Sequence, residues 1–292
     1  MSRSFHDASA AARAVFEEAN DALGFDLATL VFQGPESELA LTANTQPAVL
    51  TASVAAARAC QERGLTPSLA AGHSLGEYSA LVVAGALRFA DAVRVVRKRG
   101  QFMQEAVPVG TGAMAAIMGL DLAAVETLCK EAANGDVVEV ANINSSAQIV
   151  VAGHREAVER VVAIAGKKSV MLPVSAPFHC ALMSPAATRL AEELTSVPTS
   201  DPTLPVVRNV DGGVTRSGDE VKPFLLRQVA SPVRWSDCVQ RLAAEGATTF
   251  VEVGPGRVLT GLLRRILDGA RGHSIEDVTG LDKTLAALGT PA

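Results

Sequence analysis

Apolar residues recur at helical spacing near the start of the chain. Ala12, Phe16, Ala19 and Leu23 share one face of residues 7–24, which predicts an amphipathic helix. Thr45 to about Glu62 predicts a long helix, with Pro47 suited to its first turn and Ala, Val and Leu filling its body. The short apolar run Ser68-Leu-Ala-Ala stops at Gly72 and predicts a buried strand. Helical patterning returns over Leu75–Gly85 and Phe89–Ala106. Short strands alternating with helices predict a parallel α/β sheet.

The stretch 112–175 has a different rhythm. Gly112–Gly119 predicts a strand and Leu122–Ala133 a helix. Val137–Ile143 and Gln148–Gly153 predict two strands joined by Asn/Ser turn chemistry, followed by a helix at Arg155–Gly166 and a strand at Val170–Val174. The order β-α-β-β-α-β is the ferredoxin-like, split βαβ pattern. It is expected as a small domain (112–175) inserted into a larger α/β domain built from 1–111 and 176–292. In the second half of that larger domain, helices are expected near Ala181–Ser196, Val221–Gln228 and Trp235–Glu245, and strands at Leu204–Asn209 and Thr248–Val253.

Composition narrows the function. The 292 residues carry 26 basic and 31 acidic side chains, a formal charge of −5, with 48% apolar and 4% aromatic residues. A mild acidic excess without Lys/Arg blocks excludes a general nucleic-acid binder or a ligand of anionic membranes. Cys60, Cys129, Cys180 and Cys238 are far apart with no C-x-x-C spacing, so no zinc or disulfide framework is expected. The first residues lack an apolar signal core, and no apolar run nears the ~18 residues of a membrane span. The expectation is a cytoplasmic protein with reduced thiols.

The sharpest motif is Gly72-His73-Ser74-Leu75-Gly76, a G-x-S-x-G between a predicted strand and a predicted helix. That context is a nucleophile elbow: small residues permit the tight turn, the serine hydroxyl is lifted out, and N–H groups at the helix start face a developing oxyanion. The competing reading is a plain glycine-rich turn. A serine nucleophile needs a base, and the candidates are His6, His73, His154, His179 and His273. His6 and His273 lie in polar stretches near the ends, His154 opens a helix of the small domain, and His73 neighbours the serine on a turn that points successive side chains apart. His179, where the chain returns from the small domain to the large one, has the edge over a plain core histidine. Gly254-Pro-Gly256 lacks the third glycine of a dinucleotide fingerprint and is expected as a strand-to-helix turn.

Gly72-His-Ser-Leu-Gly-Glu-Tyr78, Arg97-Lys-Arg-Gly-Gln-Phe-Met-Gln104, His179 and Glu252-Val-Gly-Pro-Gly256, in this order, resemble the malonyl-CoA:acyl carrier protein transacylases and the acyltransferase domains of fatty-acid and polyketide synthases. The resemblance implies an α/β-hydrolase-like large domain with a ferredoxin-like insert. It implies Ser74 as nucleophile, His179 as base, the backbone carbonyl of Gln228 as the base's orienting partner, Arg99 as the partner of the malonyl carboxylate, and the Leu75 N–H as an oxyanion donor. From the residues alone, a solvated helix face is the better reading of Arg99. Asn142, Asn144, Ser145 and Ser146 resemble a segment lining the family's cleft, and a turn-forming role fits them equally. Phe178 resembles malonyl-selecting relatives.

The implied partners are malonyl-CoA and acyl carrier protein, with no metal or redox cofactor, and a monomer is expected. The implied pathway is fatty-acid biosynthesis. The alternatives are a stand-alone polyketide acyltransferase, an acyl-thioester hydrolase, and a non-catalytic carrier-protein-binding relative. The family's second oxyanion donor comes from a Gly-Gln-Gly-Ser-Gln loop after a strand preceding the first helix, which this sequence lacks. The expectation is an internal start within a longer reading frame, with lower activity in the shorter chain.

Overall fold

The computed structural model describes residues 1–289. Five helices come first: α1 (Arg3–Ala8), α2 (Ala10–Leu23), α3 (Leu27–Gln33), α4 (Glu36–Leu39) and α5 (Thr42–Glu62). The single helix expected over 7–24 is divided at Ser9. Its extended backbone ends α1, and its hydroxyl accepts from the Ala12 N–H to cap α2. α5 starts a turn earlier than Thr45, so Pro47 lies inside it, and the Thr45 hydroxyl donates to the Leu39 and Leu41 carbonyls at that entry. β1 (Ala70–Ala71) then leads through the predicted corner into α6 (Leu75–Val83), followed by α7 (Phe89–Glu105). α5 packs on α2, α6 and α7 around Phe16, Leu50, Tyr78, Leu81 and Met103, all essentially withdrawn from water.

The middle of the chain holds β2 (Gly112–Met118), α8 (Leu122–Ala133), β3 (Val138–Ser145), β4 (Gln148–His154), α9 (Arg155–Ala165) and β5 (Ser169–Met171). The strands form an antiparallel sheet in the order β3-β4-β2-β5. The period of two along β2 decides what each face meets. Ala113, Ala115 and Ile117 pack under α8 and α9, while Met114 and Ala116 pack against Cys180, Phe178 and Leu182 of the returning chain. A parallel bridge from Asn142 to Val233 ties the edge strand β3 to the rest of the molecule.

The remaining elements are α10 (Ser184–Thr195), β6 (Val206–Val207), β7 (Val214–Thr215), α11 (Gly218–Val229), α12 (Trp235–Ala244), β8 (Thr249–Val253), α13 (Val258–Ile266), β9 (Arg271–Ile275) and α14 (Val278–Leu288). The strand expected over Leu204–Asn209 shrinks to two residues because the chain turns into an antiparallel ribbon with β7. His273, expected in a polar stretch near the end, is instead in β9. Ser217 and Glu220 form a reciprocal capping box that starts α11 three residues before the expected Val221.

The parallel pairing falls into two pieces, β1 with β6 and β8 with β9. Each of β1 and β8 has a strand on one side only among the described residues, and both line a cavity of about 790 Å³ that also touches Trp235 and Leu262. One end of this cavity reaches His73 and Leu75 at the corner after β1. No helix among the described residues is long and apolar enough to cross a membrane.

Candidate active site

The corner between β1 and α6 is a steric construction. A Cβ on Gly72 would lie 1.9 Å from the backbone carbonyl of Gly76, because the first turn of α6 folds directly back over it. A Cβ on Gly76 would meet nothing within 4 Å, so only the first of the two motif glycines is demanded by contact. Gly72→Ala is therefore expected to cost at least about 3 kcal/mol, at the upper end for overpacking. A melting curve against wild type measures it, with Gly76→Ala expected to cost much less.

Ser74 takes φ 51° and ψ −106°, an unusual conformation for a side-chain-bearing residue that swings its hydroxyl away from β1. Its Oγ is 2.7 Å from His179 Nε2. His179 Nδ1 is 2.9 Å from the Gln228 carbonyl oxygen. A carbonyl only accepts, so Nδ1 carries the proton and donates, leaving the Nε2 lone pair to accept from the serine hydroxyl. His179, also at positive φ, is buried where the chain leaves the antiparallel sheet, while Gln228 lies in the last turn of α11. Residues 105 and 49 positions apart in sequence are thus joined in one line. Burial, and secondarily the Arg99 cation, pushes the His179 pKa down to about 3, so the imidazole is neutral at any pH well above that.

Arg99 is not on a solvated face. It is 2% exposed, on the side of α7 covered by α5, α6 and α11. Its Nη1 donates to Gln46 Oε1 at 2.8 Å, and its Nη2 to Gln228 Oε1 at 2.9 Å and Ser74 Oγ at 3.1 Å. The Tyr78 ring lies beside the guanidinium, 5.6 Å from its carbon. No carboxylate among the described residues forms an ion pair with it. The buried Glu77 carboxyl acts on it only at a distance, through Gln228, so this buried cation has lost its hydration without a directly bonded counter-charge.

Leu75 is the first residue of α6, so its N–H is one of the helix's unpaired leading donors. The neighbouring Gly76 and Glu77 N–H groups are taken by the His73 and Ser74 carbonyls, whereas no protein acceptor among the described residues takes that of Leu75. His73 points the other way: its Nε2 is 3.0 Å from Asn144 Oδ1, and its ring is tilted against Trp235. Asn144 is therefore bound to the motif rather than serving only the turn. His154 Nδ1 accepts the Val137 N–H within the small sheet, and His6 packs on Phe16 and Phe32; neither bonds to Ser74.

Two contributors had not been singled out in the sequence. Glu77 is a buried carboxyl on the otherwise apolar helix α6. Burial pushes its pKa up to about 7, and its Oε2 accepts from Gln228 Nε2 at 2.7 Å and the Asn209 N–H at 3.1 Å. Asn209, just after β6, is wholly buried beneath the corner. A charged residue three positions after the serine in an apolar run was a readable signal for Glu77; nothing local marked Asn209. Glu252 accepts from the Leu259 and Thr260 N–H groups and the Thr260 hydroxyl, so the fourth motif caps α13 rather than joining Ser74. No cluster of His, Cys, Asp and Glu suited to a metal ion occurs among the described residues.

The fold and this corner are those of the acyl transferase domain family, and the chain belongs to it, matching over residues 1–287. Among its relatives, the malonyl CoA-acyl carrier protein transacylase of Escherichia coli K12 is 52% identical over 275 residues, covering 92% of this chain and 89% of that protein. The transacylase of the same name from Bacillus subtilis is 43% identical and covers 99% of this chain and 92% of its own. The crystal structure of an acyl carrier protein S-malonyltransferase from Vibrio cholerae superposes with a TM-score of 0.93 at 46% identity, covering 96% of this chain and 94% of that one. A malonyl-transacylase solved in complex with a type II polyketide acyl carrier protein gives a TM-score of 0.94 at 47% identity, covering 97% and 94%.

Proposed function

We propose that this chain moves a malonyl group from malonyl-CoA to the phosphopantetheine thiol of acyl carrier protein through an ester on Ser74, in fatty-acid synthesis. The observation that carries this reading is the buried Arg99 guanidinium, with no carboxylate bonded to it among the described residues, 3.1 Å from the Ser74 hydroxyl. It calls for an anionic substrate, and its closeness to the nucleophile sets how far the anion lies from the reacting carbonyl. In a malonyl thioester one methylene separates carboxylate from carbonyl, which suits that short reach; a neutral acyl group would leave the cation uncompensated.

His179 Nε2 takes the Ser74 proton as Oγ attacks the thioester carbonyl, and the Gln228 carbonyl stabilises the imidazolium that forms. The Leu75 N–H meets the developing oxyanion, aided by the positive end of α6. The imidazolium returns its proton to the departing CoA thiolate. The carrier thiol then repeats these steps in reverse on the acyl-enzyme. Substrate also strengthens its own base: the bound carboxylate offsets the Arg99 charge, one of the causes that hold the His179 pKa low. The intact line from Ser74 to Gln228 favours an enzyme over a binding-only relative, which needs no poised serine. These steps pass protons and acyl groups only between residues of this chain, CoA and the carrier thiol.

Intact-protein mass spectrometry after mixing with malonyl-CoA tests the reading. A malonyl increment that appears in a burst and disappears on adding thiol-bearing acyl carrier protein is expected. An adduct lost equally fast without the carrier would indicate a hydrolase, and no adduct would reject the acyl-enzyme.

A further inference from the structure

The carboxamide of Asn209 holds the Ser74 corner from both sides. Its Oδ1 accepts the Ser74 N–H at 2.6 Å, and its Nδ2 donates to the Gly72 carbonyl at 2.8 Å. The two peptide groups that bracket His73 are thereby fastened to one side chain from the turn after β6. Asn209 is itself fastened, since its backbone N–H donates to Glu77 Oε2. The same carboxyl oxygen receives Gln228 Nε2, which also donates to the Ser74 carbonyl at 3.0 Å. Both the N–H and the C=O of Ser74 are therefore occupied by amide side chains anchored on one buried carboxyl. A residue at φ 51° and ψ −106° persists only where its surroundings over-determine it, and these bonds provide that determination.

We propose that Asn209, anchored by Glu77, is a positioning residue that holds the Ser74 elbow in its reactive conformation. The inference rests on Ser74 being the nucleophile. Asn209 lies on the buried side of the corner, and its bonds reach the backbone of Ser74 and Gly72, not the hydroxyl. Its loss leaves a buried N–H and a buried C=O without partners, and both are satisfied if the corner relaxes toward ordinary backbone angles. The Oγ would then leave its line with His179. Arg99 makes no bond to Asn209 and is held from the other side by Gln46; Gln228 touches Asn209 Oδ1 only through a long 3.5 Å contact and keeps its bond to Glu77 without it, so substrate binding should survive while acylation slows.

The test compares Asn209→Ala and Asn209→Asp with wild type at a temperature where circular dichroism shows each variant folded. Three quantities are read: the acylation rate with malonyl-CoA by quenched mass spectrometry, KM for malonyl-CoA, and the rate of sulfonylation by phenylmethylsulfonyl fluoride, which reports serine reactivity without CoA binding. Asn209→Ala is expected to acylate about 100-fold more slowly, the scale of an ångström misplacement, with KM within about threefold and sulfonylation slowed in parallel. Asn209→Asp keeps the acceptor for the Ser74 N–H and loses the donor to Gly72, so it should fall between. If the alanine variant does not fold, the aspartate variant decides alone, with about tenfold slower acylation at unchanged KM expected. Acylation within threefold of wild type in a folded variant, or a loss confined to KM, overturns the positioning role. Failure of the wild-type protein to acquire malonyl on Ser74 is a separate result and rejects the nucleophile instead.

Discussion

Ser74→Ala is expected to remove malonyl transfer to the background, a loss of at least about 10⁴-fold, while the protein still folds. The size follows from what the hydroxyl does. The covalent intermediate splits one transfer between two bulky thiols into two attacks at a fixed point, and no second nucleophile stands at that point. The four cysteines do not substitute. All are buried, and burial raises Cys60, Cys129 and Cys180 to about 12 and Cys238 also upward, so none offers a thiolate. The change should be nearly silent in the fold, since Oγ meets only His179 and Arg99, and removing it costs no apolar contact. The check is intact mass after malonyl-CoA treatment together with a melting curve. A malonyl adduct that persists on another residue of the folded variant would refute the assignment of the corner.

The Ser74 corner was legible because its requirements are local. A short apolar strand, two glycines and an immediate helix lie within a dozen residues, and Gly72 is needed by the turn it makes. His179 was less legible because its partnership spans 105 residues and depends on where β5 releases the chain. Arg99 looked like a solvated cation because α7 carries Arg97, Lys98 and Glu105 near it. Only the tertiary layer of α5 and α11 over that side makes it interior, and periodicity within one helix does not reveal which elements cover it. The same reason hid Asn209, whose role arises because β6 runs beside β1 and the turn after it meets the corner after β1.

The ends of the elements follow a similar division. The antiparallel sheet was readable because its strands alternate and its helices carry clear apolar faces, as Ala113, Ala115 and Ile117 show. The last third was read poorly beyond β8, where Arg271–Ile275 is half polar and the Gly254–Gly256 turn obscures the start of α13. The expected parallel sheet is present as two pairs whose unpaired edges share a cavity, a relation between strands that no single segment encodes.

Replacing Arg99 separates selectivity from stability. Arg99→Met is expected to lower malonyl transfer by roughly ten- to a hundredfold, because a charge-assisted bond of about 1.5–3 kcal/mol to the substrate carboxylate is lost. Transfer of acetyl from acetyl-CoA has no carboxylate to lose and should change little or increase. The same substitution should leave the melting temperature unchanged or raise it. In the unliganded protein the guanidinium is buried with no directly bonded carboxylate among the described residues, and an apolar side chain of similar length removes that desolvation cost, which offsets the loss of a donor at the Gln46 and Gln228 amide oxygens. Arg99→Lys would not restore the wild type, because an ammonium has no planar fork to span Gln46, Gln228 and a carboxylate together. The measurement is the ratio of malonyl to acetyl transfer for each variant beside its melting curve. Equal losses for both acyl groups with a fall in melting temperature would make Arg99 a structural residue. A collapsed ratio in a protein at least as stable as wild type would show a cation kept at a cost to the fold for the sake of the acid it selects.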